Sequence, residues 1–288
     1  MQVDTFEVVT RGHRAQLAEG PIWSDRENAL YWVDIMGRAV HRMLLEDRST
    51  RKWAMPDMIG WVIERQTRPG FIAGLAGGFA EVSLEPFGIR MIGDPEPELP
   101  NNRMNDAKVD AAGRIWAGTM DADAAQPTGA LYRFDPDHTW HKQDRDYLVT
   151  NGPAFSPDGT KLYHTDSHKR VIYCFDLQSD GTLLNKRPFV TFKAEWGYPD
   201  GMTADAEGGL WVAHWGAARV SRFSPEGHVV RVIELPTSQP TSCVFAGKNL
   251  DRMFITSAAC DCLHEELAGE IFEIDPGVCG VPAVRFAG

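Results

Sequence analysis

The sequence predicts an all-β chain folded as a six-bladed β-propeller, on three observations: a phrase of strands and turns that recurs six times, the spacing of its copies, and the lack of helical periodicity. Each copy reads as a short apolar stretch, a turn carrying Asp and Gly, an aromatic-rich strand, a second turn and a further strand. Four copies are plain, at residues 20–43, 109–135, 152–177 and 201–227, and two weaker ones begin near Gly60 and Ser242. Turn residues such as Pro157-Asp158-Gly159 and Glu226-Gly227 separate segments rich in Val, Ile, Trp, Tyr and Phe, the composition of strands joined by hairpins. The copies repeat at roughly 40–50 residues, the size of a four-stranded blade. Six blades then account for all 288 residues as one domain.

An open ring would leave a strand edge exposed, and pairing of a segment around residues 6–10 with the last blade is the expected closure. Trp23, Trp32, Trp116 and Trp211 share one phase of the repeat and are expected in the core. Trp196 and Trp215 fall outside that phase, which makes either a candidate to flank a substrate. Gly70, Gly74, Gly77 and Gly78 form no dinucleotide fingerprint and read as turns of the weakest blade.

Composition narrows the function classes. The 43% of hydrophobic and 24% of charged residues suit a chain with a large core. A net charge of -11 works against phosphate-backbone binding, which requires a basic face, and against an anionic membrane surface. The N-terminal residues 1–9 include Asp4 and Glu7 and lack a basic segment followed by an apolar one. No apolar run is long enough to span a bilayer. Five cysteines, odd in number and scattered toward the C-terminal half, do not resemble a disulfide framework, so a reducing, cytoplasmic setting is expected.

Aligning the copies on their aromatic strands places one residue just before each opening strand: Glu19, Ile59, Asn105, Asn151, Asp200 and Thr241. Pseudo-symmetry puts all six at one level around the axis, and five are polar. A tight turn would favour Asn, Asp and the Gly that follows at 20, 60, 152 and 201 with no further purpose. Glu19 is not a favoured turn residue, however, and Ile59 means the turn does not demand polarity. Two carboxylates and an amide oxygen gathered on an axis would repel unless a cation sat between them, and oxygen donors without His or Cys suit a hard ion such as Ca²⁺, Mg²⁺ or Mn²⁺.

The phrases Ala18-Glu19-Gly20-Pro21, Asn101-Asn102-Arg103-Met104-Asn105-Asp106, Gly118-Thr119-Met120, Asn151-Gly152 and Pro199-Asp200-Gly201-Met202, in this order over nearly the whole chain, resemble the senescence-marker-protein/gluconolactonase/luciferin-regenerating enzyme family, the regucalcin-like sugar lactonases. The resemblance implies a six-bladed propeller with one divalent ion, Ca²⁺ foremost and Zn²⁺, Mn²⁺, Mg²⁺ or Fe²⁺ as alternatives, held by Glu19, Asn151 and Asp200. It implies Arg103 and Asn105 as substrate-binding residues, with Met120 beside them. The family's acidic residue after that Met matches Asp123 best, although the loop 121–128 departs from the pattern. Implied, too, is hydrolysis of a sugar-derived lactone, a pentono- or hexonolactone, to the aldonic acid.

For that chemistry the ring would supply Asp200 as general base toward the attacking water, with Arg103 and Asn105 orienting sugar hydroxyls. Arg103 has a plain alternative in an ion pair with Asp106 or Asp110, and Met120 in packing. A non-catalytic cation-binding propeller and a same-fold esterase or phosphotriesterase are the rival functions. Cys260-Asp261-Cys262-Leu263-His264 lacks the second ligand pair of a structural zinc site. No G-x-S-x-G elbow or zincin helix occurs. His164, His168 and His214 read as structural, and the acidic stretch 94–98 as a solvated loop rather than a lid. The partner implied is a small-molecule sugar lactone, without nucleic acid or membrane, and nothing in the residues speaks to oligomeric state.

Overall fold

A computed structural model describes residues 5–12 and 14–288, so residues 1–4 of the N-terminal segment, Asp4 among them, lie outside it. Six antiparallel sheets of four strands follow one another around a ring. Their inner strands are Ala18–Ser24, Ile59–Glu64, Asn102–Val109, Thr150–Phe155, Tyr198–Ala204 and Pro240–Ala246, which define blades 1 to 6. Each inner strand packs against the next, and the sixth returns to the first. Among the described residues the helical content is one 3₁₀ turn, Ala194–Trp196, and no helix is long and apolar enough to cross a membrane.

The aromatic-rich segments are the second strands, such as Ala29–Asp34 and Ile115–Asp121, buried along their whole length. Both faces of a blade pack on neighbouring blades, so a middle strand reads as a continuous apolar run instead of an alternating one. The outer strands are largely exposed; Leu183–Thr191 is an example. Trp23, Trp32, Trp116 and Trp211 are all buried, as their shared phase predicts. Trp196 instead packs its ring on Phe192 and Phe223, and Trp215 is half-buried opposite Tyr198. Gly74 is not a turn residue: it lies within the strand Phe71–Leu75, where a Cβ would come 2.4 Å from the Trp61 indole.

Closure is as expected. Phe6–Val8 pairs antiparallel with Phe272–Ile274 as the fourth strand of blade 6. A second latch crosses the opposite end of the chain: the Phe286 N–H donates to the Glu64 carbonyl at 3.0 Å, the Ala287 N–H to the Gly113 carbonyl at 3.0 Å, and the Phe286 side chain is fully buried.

Candidate active site on the propeller axis

All six inner strands break register with their neighbours at the same level, after Glu19, Ile59, Met104, Asn151, Pro199 and Pro240. A bulge of this kind re-aims the side chains beside it. The six repeat-selected positions lie at or beside the break. They are therefore inside the inner strands, not just ahead of them, and all six are buried. The glycine that follows has a steric purpose: a Cβ on Gly60 would stand 2.7 Å from the carbonyl oxygens of Met104 and Asn105, so blades 2 and 3 could not approach as they do. Gly20 and Gly152 add positive φ, +51° and +72°. The turn explanation and the ring explanation both hold, for different residues of the same phrase.

Two of the six are structural. Ile59 joins the core between blades 1 and 2, and the Thr241 hydroxyl donates to the Ala18 carbonyl at 2.5 Å. The other four belong to one connected cluster. Arg103 Nη1 donates to Asn105 Oδ1 at 2.7 Å and to the Met104 carbonyl at 3.0 Å. Asn105 Nδ2 donates to Asn151 Oδ1 at 3.0 Å. Asn151 Nδ2 donates to Ser167 Oγ at 2.9 Å, whose hydroxyl donates to the carbonyl of Pro199, next to Asp200, at 2.7 Å. Arg103 does not take up the alternative pairing with Asp110, which binds Arg114 instead.

The electrostatics of this cluster are strained without a counter-charge. Burial, and then the charge of Asp106, push the Glu19 carboxyl up to about 8, against the pull of the Gly20 N–H, Arg103 and Lys108. Burial, then Glu19 and Asp106, hold Asp200 well above the usual carboxylate range. Burial likewise lifts Asp106 to about 6 and lowers Arg103 to about 10. Asp200 Oδ1, Asp106 Oδ2 and Arg103 Nε are buried and have no hydrogen-bond partner among the described residues, an expensive state for polar atoms. These features fit a bound cation with oxygen donors: two crowded carboxyls, one of them with an orphaned oxygen, beside an amide oxygen. Among the described residues no three His, Cys, Asp or Glu side chains converge as a metal site by themselves, so the Asn151 amide is needed to complete a donor set.

Met120 is the cross-strand partner of Arg103 and is buried beside it. Asp123 is exposed and receives a hydrogen bond from Asn101 Nδ2 at 3.1 Å, so it stands at the rim and outside the buried cluster. Asp121 anchors that loop by accepting the N–H groups of Ala125 and Gln126, both at 2.9 Å. The acidic stretch 94–98 is neither lid nor free loop, because Glu96 is buried and takes hydrogen bonds from Asn102 Nδ2 at 2.7 Å and the Tyr132 hydroxyl at 3.0 Å. His164 and His214 are buried in their strands. The thiols of Cys260 and Cys262 both face Gln239 Oε1, at 3.8 and 3.2 Å, and all five cysteines are free.

Residues 17–259 match the family model described as the SMP-30/gluconolactonase/LRE-like region. The chain belongs to this family. Among members of the SMP-30/gluconolactonase/LRE-like family it is 35% identical to a 6-deoxy-6-sulfogluconolactonase of Pseudomonas putida, with 99% of each chain covered. It is 34% identical to an L-arabinolactonase of Azospirillum brasilense, over 96% of this chain and 93% of that one. A solved luciferin-regenerating enzyme superposes with a TM-score of 0.93 at 29% identity, covering 99% of this chain and 100% of the other. Six blades and the order of the quoted motifs agree with that membership.

Two buried residues of the cluster escaped the repeat argument. Asp106 follows Asn105 directly, and in an unbroken strand it would face away from its neighbour. Ser167 follows the strand Lys161–Asp166 and carries no sequence signal of its own.

Proposed function

We propose that this protein hydrolyses a sugar-derived lactone, a pentono- or hexonolactone, to the corresponding aldonic acid with one divalent cation at the channel axis. The observation that carries the reading is the interaction of the buried Glu19 and Asp200 carboxyls, the second with an unsatisfied oxygen, beside a hydrogen-bond chain that runs from Asn151 through Ser167 to the Pro199 carbonyl. Its support is a full-length likeness to proteins named as sugar lactonases. Glu19, Asn151 and Asp200 would hold the cation, with Ca²⁺ the first choice for an all-oxygen donor set. When bound, such an ion supplies Lewis-acid polarisation of the lactone carbonyl and acidifies a water in contact with it.

The chain's own residues do the rest. Asp200 accepts the proton of the attacking water through its buried carboxyl, one oxygen of which has no hydrogen-bond partner among the described residues. Arg103, whose Nε is without a partner among the described residues, turns its remaining donors toward the ring hydroxyls and the developing oxyanion. Asn105, its amide N–H groups given to the Thr150 carbonyl and Asn151, holds the guanidinium through Oδ1. Met120 packs beside Arg103 and limits its rotamers. Asp123, at the rim with Asn101, meets the hydroxyls of a substrate entering past the loop 121–128.

The test is a pH-indicator assay over a panel of aldonolactones, with elemental analysis of the purified protein. Turnover that disappears with chelator and returns with a divalent ion is expected. The Asp200→Asn protein should lose roughly a hundredfold or more in kcat, the typical contribution of a positioned base. Cation binding without turnover of any lactone would return the non-catalytic reading. Turnover of aryl esters or phosphotriesters in preference to lactones would move the assignment to another ester class.

A further inference from the structure

Beyond the bulges, at the other end of the channel, the inner strands enclose a second cavity of about 320 Å³. All six contribute to its wall, yet Glu19, Asn105, Asn151 and Asp200 do not. The wall is largely apolar, formed by side chains such as Ile22, Ile63, Phe155, Met202 and Val244. Residues 281–285 cross it as a strap, which is tied on one side by the Gly280 N–H to the Leu250 carbonyl at 2.8 Å and on the other by buried Phe286. Pro282, Ala283 and Val284 of the strap are exposed, so the cavity has a rim in contact with solvent.

Its charges do not cancel. Glu64 accepts the Ser24 hydroxyl at 2.7 Å and Arg285 Nε at 3.0 Å, which neutralises that pair. Lys108 also lines the cavity, and its ammonium has no hydrogen bond or ion pair among the described residues. Two opposite charges it influences, Asp106 and Glu19, belong to the acidic cluster. An ammonium without a bonded partner among the described residues, on a residue that lines an apolar chamber of this size, matches the ordinary composition of a small-ligand site: apolar walls with one polar group that fixes orientation.

We propose that this cavity is a second ligand site, for a small amphipathic monoanion such as a medium-chain fatty or aryl carboxylate. The carboxylate meets Lys108 Nζ, and the apolar body lies between Ile63, Phe155 and Met202 beneath the strap. A sugar acid is a poor match, because the wall has few partners for its hydroxyls. The site is separate from the axial cluster and stands whether or not the lactonase reading does.

Isothermal titration of the full chain with octanoate, and with 1-octanol as the neutral counterpart, tests it. The expected result is one octanoate per chain, with a change in tryptophan emission, to which Trp23 at the cavity wall contributes. In Lys108→Met, octanoate affinity falls roughly tenfold or more while octanol binding is unchanged, the loss anticipated for one charge-assisted hydrogen bond. Val244→Trp, which takes up part of the chamber, should weaken both, with circular dichroism reporting that each variant is folded. Absence of octanoate binding at millimolar concentration, equal binding by Lys108→Met, or undiminished binding of both ligands by Val244→Trp would each overturn the proposal.

Discussion

His164 is fully buried, and neither ring nitrogen has a hydrogen-bond partner among the described residues. Burial pushes its imidazole down from 6.5 to about 3. Between those values the unfolded chain binds a proton that the folded chain refuses, so stability falls as pH drops through this window, by up to about 1.4 kcal/mol per pH unit. His164→Phe removes the titration and keeps the edge-on contact with Tyr147. Its denaturation free energy should decline less steeply than wild type from pH 6.5 to 4 in urea titrations, and parallel slopes would mean His164 does not stay neutral in the fold. At this same scale, Glu19, Asn151 and Asp200 could be read from the repeat because pseudo-symmetry assigns them one level. Asp106 could not, since only the local break in pairing puts two consecutive side chains on the axis.

Within a blade, one device occurs twice. Asp110 Oδ2 accepts the Trp116 indole N–H at 2.8 Å and Arg114 Nε at 2.7 Å. Asp205 Oδ2 does the same with Trp211 at 2.9 Å and Arg222 Nε at 2.7 Å. Each aspartate thus ties the turn between the first two strands to a tryptophan in the core between blades. Asp205→Ala strands a buried indole N–H and an arginine, and should cost about 3–5 kcal/mol in chemical denaturation, as for other broken buried pairs. A loss below about 1 kcal/mol would show that the network relaxes. The second strands were legible as elements because their aromatic runs are bounded by turn residues. Blade 2 and the exposed outer strands were faint: Gly74 yields its side-chain space to Trp61, and a strand with few buried residues leaves little apolar pattern.

At the scale of the whole molecule the ring is held shut by both termini. Removing residues 1–9 would leave Phe272–Ile274 as an open edge and delete the pairing of Phe6–Val8. The truncated protein should melt at lower temperature and associate with rising concentration, as unpaired edges do. Unchanged melting and light scattering would mean that the first strand contributes nothing to closure. By itself the sequence determined the number of blades, the order of the strands and the phase at which polar residues recur, because turn chemistry and apolar spacing are local properties repeated along the chain. Only the tertiary structure decided which of those residues touch. Arg103 on Asn105, Asn105 on Asn151, Ser167 behind them, the half-buried packing of Trp196 and the chamber beneath residues 281–285 all depend on local breaks in pairing and on contacts between strands and blades, and no periodicity along a single chain encodes those.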